Sequence, residues 1–210
     1  MPSPEALFSF ALLALMMALT PGPNMAYMVS RSLCQGRRAG YVSLAGVVLG
    51  FLIYMLSAAI GLSALLLAVP LAYDLLRWGG AAYLTYLAWQ AVRPGGHSPF
   101  EVRTLPAESD RRLFLTGLFT NLLNPKIAIF YVSMLPQFID PQGASVLGQS
   151  VLLGCVQIGV SMSVHLTLIS LAGRVAALLQ QRPGFVRLQR WLMATVLGGM
   201  ALHLVADSRR

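Results

Sequence analysis

Six long apolar stretches separated by short polar ones divide the chain, near residues 5–29, 41–69, 72–92, 113–135, 145–173 and 189–206. A helix needs about 20 predominantly apolar residues to cross a bilayer, so each stretch reads as a transmembrane helix. The second and fifth exceed one crossing and read as tilted, or as ending in short interfacial pieces. The pattern predicts an all-α integral membrane protein with six transmembrane helices, residues 1–210 forming a single domain. Residues 93–112 are the one sustained polar stretch. Their prolines, glycines and mixed charges read as a cytoplasmic linker joining two halves, about 5–92 and 113–206.

Composition supports this class. Hydrophobic residues make up 57% of the chain and charged residues 10%, where a soluble domain carries about 25%; the mean hydropathy is +0.70. A net charge of +8 could suit nucleic acid, but its placement argues against that partner. Eleven of the fifteen basic residues fall on one side: Arg31, Arg37 and Arg38 between stretches one and two, Arg93, Arg103, Arg111 and Arg112 between three and four, and Arg174, Arg182, Arg187 and Arg190 between five and six. The loops near residue 70 and at 136–144 carry none. This positive-inside pattern predicts that the three basic loops are cytoplasmic and both termini face outward. The first stretch is expected to stay attached rather than act as a cleaved signal, because the only charge before Arg31 is Glu5.

The only lysine, Lys126, sits inside the fourth stretch directly after Asn124-Pro125. A lysine at the centre of a membrane helix costs roughly 2.5–3.5 kcal/mol on insertion scales, which makes it a functional-site candidate. Snorkelling to an interface is the plainer alternative, but roughly ten apolar or small residues flank it on each side. Pro125 lacks an N–H, and its ring crowds the carbonyl of Asn121. Thr20-Pro21-Gly22-Pro23-Asn24 breaks the first stretch harder, freeing the carbonyls of Met17 and Leu19. Irregular backbone at membrane depth is tolerated only where it is buried in protein or lines a polar cavity.

The two breaks recur at a fixed offset of 104: Phe10, Leu19-Thr20-Pro21 and Tyr27 match Phe114, Leu123-Asn124-Pro125 and Tyr131. Three spans per half is an odd number, so a repeat would insert upside down. Two inverted three-helix repeats with broken helices one and four are the signature of a secondary transporter. The half-helix ends would point partial charges inward, N-termini attracting carboxylates and C-termini cations. Two ordinary proline kinks are the plainer alternative.

Thr20-Pro21-Gly22-Pro23-Asn24 and Asn124-Pro125-Lys126, followed by Phe130 and Leu135-Pro136-Gln137-Phe138, resemble the lysine-exporter superfamily (LysE/RhtB), most closely its homoserine/threonine-resistance branch. The likeness extends to Ala45-Gly46, Gly50, Gly61-Leu62, Gly79 to Leu84 and Arg112-Leu113-Phe114, covering essentially residues 5–175. It implies a multi-pass exporter of the inner membrane that moves amino acids or close derivatives out of the cytoplasm, driven by a proton gradient or the membrane potential. One departure stands out. Many members of this branch carry an acidic residue and then a histidine where this chain has Phe51 and Tyr54, which puts proton coupling through those places in doubt.

His165 is then the one titratable mid-stretch group besides Lys126. It shares a helical face with Gln157 and Ser161 at i, i+4 and i+8. That face reads equally as pathway or as interhelical glue. The expected translocation residues are Thr20, Pro21, Gly22, Pro23, Asn24, Asn121, Asn124, Pro125, Lys126, Gln157, Ser161 and His165. Gly46-x-x-x-Gly50 reads as a seam for close helix contact, within the chain or in a homodimer. Asp74 and Arg77 are expected to pair, and Trp78, Tyr83, Tyr86 and Trp89 to serve as belt and packing residues.

Cys34 and Cys155 are placed in a loop and a span, so neither a disulfide nor a metal site is expected, and no cofactor. The rival classes are an intramembrane enzyme of Ser/Lys type and a passive channel or scaffold. No H-E-x-x-H occurs, and acidic residues are absent from the central membrane region. That absence favours a neutral, mainly apolar amino acid as cargo over a cationic one.

Overall fold

The computed structural model describes residues 2–68, 106–143, 145–181 and 183–206, with 78–79, 81–82, 84–86, 88–89 and 92–93 between them. Every regular element among the described residues is helical. Helix α1 spans Pro4–Leu19; Ser3 caps it, its Oγ accepting the Ala6 N–H at 3.2 Å, and Pro4 presets the first turn. It stops at Leu19 because Pro21 has no N–H to offer. After the extended Gly22, α2 runs over Pro23–Gln35, bent by 53° from α1. Gly36 has φ +88°, a left-handed conformation that favours glycine, and turns the chain into α3, Arg37–Ala68.

Past the linker, α4 covers Asp110–Leu122, capped by Ser109, and α5 covers Pro125–Ile129. The α5 track continues through a π turn at Phe130–Met134 and a 3-10 turn at Leu135–Phe138, lying 52° from α4. Pro136 has no N–H for the Val132 carbonyl, and Leu135 N–H reaches five residues back to Phe130, which is the π register. Helix α6 is Val146–Gln181 and α7 is Pro183–Ala206.

Residues 37–61 of α3 and 146–174 of α6 are each long and apolar enough to cross a membrane. Counting each bent pair as one span gives up to four crossings among the described residues. The third apolar stretch is described only in fragments. The loop near residue 70, the Asp74–Arg77 pair, Tyr83 and residues 94–105 of the linker lie outside the described residues. Two expected loops prove shorter than the hydropathy pattern drew them. Helix α3 already begins at Arg37, and α6 reaches Gln181 before α7 starts at Pro183. Arg37, Arg38, Arg174, Arg187 and Arg190 therefore lie within helices rather than in loops. Arginine is a good helix former, and its long stem carries the charge away from apolar surface, so helices need not stop where hydropathy does.

One apolar core joins the elements, centred on Phe10, Met17, Met28, Val47, Phe51, Phe130, Tyr131, Leu153 and Leu197. Phe10 of α1 meets the rings of Phe130 and Phe138 at 5.6 and 5.1 Å, tying the two broken helices together. Helices α3 and α4 touch backbone to backbone. A Cβ on Gly46 would lie 2.0 Å from the Phe114 carbonyl oxygen, and one on Gly117 would lie 2.3 Å from that of Ser43. The Gly46–Gly50 seam is thus used inside the chain, with Gly50 facing the Asn121 side chain.

Candidate functional site

The site is assembled where the two breaks meet. Lys126 enters from the first turn of α5 and crosses to the end of α1. Its Nζ donates to the carbonyls of Thr20 at 2.7 Å and Met17 at 3.1 Å. The Met17 carbonyl lost its helical partner because Pro21 has none to give, so the ammonium takes the place of the missing N–H. Lys126 is only 8% exposed, and a Cβ on Gly22 would sit 3.0 Å from its Nζ. Glycine at 22 leaves the space that the lysine head fills.

The second break is held differently. The Asn124 side chain accepts the Lys126 N–H at 3.1 Å, capping α5. That leaves the Leu122 carbonyl without its i+4 donor, and the Tyr54 hydroxyl of α3 donates to it at 2.6 Å. Tyr54 stacks on Tyr131, the ring centroids 5.7 Å apart. The Tyr131 hydroxyl donates to Gln157 Oε1, and Gln157 Nε2 donates to Ser161 Oγ at 2.8 Å.

Between the breaks and α6 lies a small cavity, with about 10 Å³ open to the centre of a water-sized sphere. That is room for about one water molecule. Its polar lining comes from Thr20, Gly22, Asn24, Asn124, Lys126, Ser161 and His165, its apolar lining mainly from Met17, Met25, Phe51 and Ile127. Several buried polar atoms there have no protein partner: both amide atoms of Asn24, Asn124 Nδ2 and His165 Nδ1. Unpartnered buried polar groups are rare enough to require an explanation.

Of the expected residues, Thr20, Gly22, Asn24, Asn124, Lys126, Ser161 and His165 converge on this cavity, while Pro21, Pro23 and Pro125 shape the breaks. Two do not reach it. Asn121 is fully buried against Gly50, and Gln157 lies a turn away, joined to Tyr131. In the sequence Tyr54 stood out only as a place that puts proton coupling in doubt, and its hydroxyl went unread as a carbonyl cap. The signal was available: a tyrosine three residues beyond Phe51 can share a helical face with it.

A second polar cluster ties α2 to the start of α4. Arg31 bridges Glu108 at 2.8 Å and donates to the Pro106 carbonyl at 3.0 Å; Arg112 also reaches Glu108 Oε1, at 3.2 Å. Gln35 exchanges two hydrogen bonds with the Glu108 backbone, and the Tyr27 hydroxyl donates to the Leu113 carbonyl at 2.9 Å. The end of the linker at 106–109 is therefore pinned to α2.

Among the described residues no group of His, Cys, Asp or Glu is arranged to hold a metal ion.

An all-helical membrane chain whose buried ammonium sits where two broken helices meet has the build of a transporter. Comparison with known proteins gives the family: residues 15–208 match the LysE type translocators, and the chain belongs to that family. It is 36% identical over 171 residues to a homoserine/homoserine lactone efflux protein of Salmonella typhimurium, covering 81% of this chain and 82% of that one. An efflux protein of the same name from Salmonella typhi is 35% identical over the same length. An uncharacterized membrane protein of Pseudomonas aeruginosa is 31% identical over 183 residues, 83% of each chain. No solved structure matches the chain with significance. The protein is a multi-pass membrane transporter and not an enzyme.

Proposed function

We propose that this chain is a six-span, secondary-active exporter of the inner membrane. In this reading it moves neutral amino acids or close derivatives out of the cytoplasm, driven by a proton gradient or the membrane potential, with both termini outside. The observation that carries the reading is the hydrogen bonding of Lys126. Two of its three N–H groups are held by Met17 and Thr20, which leaves one, with the Asn24 and Asn124 amides, for a carboxylate or carbonyl oxygen of the cargo. No acidic side chain lines the cavity, which argues against a cargo with a cationic side chain. The Salmonella relatives are named for homoserine and homoserine lactone, both of which have neutral side groups. These two are the first cargoes to assay.

A space for one water cannot hold an amino acid, so cargo entry requires the broken helices to move. The bends of 53° and 52° at matching places in the two halves support a pair of inverted repeats rocking about those breaks. The test is uptake into inside-out proteoliposomes of purified protein, with labelled homoserine and an imposed proton gradient or potential. Accumulation above equilibrium that collapses with the gradient supports the exporter. Flux that only equilibrates the label would make the protein a passive channel.

A further inference from the structure

An open groove of about 600 Å³ runs along α4, apart from the Lys126 cavity. Its lining changes character along its length. Ser109, Arg111 and Arg112 form one end; Leu115, Thr116, Phe119, Thr120 and Leu123 form the wall, and Pro23 closes the far end at the first break. Phe119 is 54% exposed and Leu123 79%, so the wall is bare apolar surface. From Arg112 to Leu123 the helix rises about 16 Å at 1.5 Å per residue, close to one leaflet of a hydrocarbon core about 30 Å thick. The groove thus starts among arginines and ends where one leaflet ends.

We propose that this groove binds an anionic phospholipid, its phosphate on Arg111 and Arg112 and an acyl chain against Leu115, Phe119 and Leu123. Charge complementarity selects this occupant. Arg111 and Arg112 are exposed, and Arg112 shares Glu108 Oε1 with Arg31, so that one carboxylate is set against two guanidinium groups and neutralises neither alone. The adjacent carboxylate of Asp110 is engaged by Arg38 at 2.7 Å. The net charge at this end is positive, at the side of the membrane where basic clusters meet anionic lipid headgroups. Guanidinium presents paired N–H donors that match phosphate oxygens, and the groove continues from that point into apolar wall, as a lipid does. A second copy of this chain would find the wall suitable but the two arginines facing its own basic end. This site depends on residence in the membrane and not on the identity of the cargo.

The experiment is native mass spectrometry of the purified full-length protein in detergent, titrated with phosphatidylglycerol or phosphatidylcholine. The wild type is expected to retain phosphatidylglycerol in preference to phosphatidylcholine. Arg111→Gln should weaken phosphatidylglycerol about fivefold, the equivalent of about 1 kcal/mol per arginine at a membrane surface. Thr116→Trp, which fills the groove and keeps both arginines, should weaken it as well, while Arg37→Gln on another helix should not. Each variant is first checked for an unchanged elution profile. Equal retention of the two lipids, or full retention by Arg111→Gln and Thr116→Trp, overturns the proposal. So does disulfide crosslinking of two copies through Thr116→Cys in native membranes, which would make the groove an interface between chains.

Discussion

Replacing Lys126 with methionine separates what the residue does for the fold from what it does for transport. The loss side is set by two hydrogen bonds, to Thr20 at 2.7 Å and Met17 at 3.1 Å. Each buried carbonyl left without a donor costs about 1–3 kcal/mol. The gain side is the removal of an ammonium whose presence at membrane depth costs roughly 2.5–3.5 kcal/mol. Two carbonyls together cost about 2–6 kcal/mol, so Lys126→Met is expected to fall between a gain of about 1.5 and a loss of about 3.5 kcal/mol in stability. Methionine also keeps an unbranched stem in the space beside Gly22. The variant should therefore insert and purify, with a melting temperature lowered by no more than that loss allows. Its counterflow exchange of homoserine in proteoliposomes should fall to background, because no other lysine and no arginine lines the cavity. Normal exchange by a well-folded Lys126→Met would refute the assignment and leave the lysine as a cap for the α1 terminus. Severe destabilisation would show that the carbonyls outweigh the charge and that the energy comparison is wrong.

Gly46→Ala places a methyl group 2.0 Å from the Phe114 carbonyl oxygen, so α3 and α4 must separate by about 1 Å, at the 1–3 kcal/mol typical of overpacking; thermal unfolding in detergent reads this, and an unchanged melting temperature contradicts the close contact. Tyr54→Phe removes the 2.6 Å bond to the Leu122 carbonyl while keeping the stacked ring, and should cost about 1–3 kcal/mol and slow exchange. In the exporter reading, His165→Gln should keep counterflow exchange but lose accumulation driven by a pH gradient. Full coupling in that variant would show that the ring only packs, and that coupling runs through Lys126 or does not involve protons.

The helical class and both breaks were legible because they rest on local chemistry. Apolar runs set the helices, and Pro21, Pro23 and Pro125 remove donors wherever they stand. Lys126 was legible as an anomaly, a charge where charge is expensive. What the linear pattern withheld is the partner of each freed group, because those partners lie far away in the chain. Lys126 reaches Met17 across 109 residues, Tyr54 reaches Leu122 across 68, and Ser32 donates to the Ile169 carbonyl across 137. Asn121 illustrates the opposite error. Its place beside the break suggested the cavity, but the close approach of α3 and α4 at Gly50 points it into that seam instead. The Arg31–Glu108 cluster was hidden for the same reason, since counting arginines by loop says nothing about which carboxylate one of them meets.

The two breaks are held by unlike means, and the difference bears on how the site could work. The second break is closed by a neutral hydroxyl, Tyr54, and by its own Asn124, groups with no reason to let go. The first is closed by an ammonium, and an ammonium is also what an amino acid carries. In the exporter reading a cargo can therefore exchange with Lys126 in kind. Its α-ammonium takes the carbonyls of Met17 and Thr20, while its carbonyl or carboxylate oxygen takes the released lysine head. Homoserine and its lactone share those two features, an ammonium and a carbonyl oxygen, and differ in whether a free carboxylate is present. A site built on that exchange would accept both, and the hydrogen bonds lost when Lys126 leaves α1 would be remade by the cargo. The movement of the first break would then be tied to occupancy: with the cavity empty Lys126 holds α1 closed, and with cargo bound the lysine is free to move with α5.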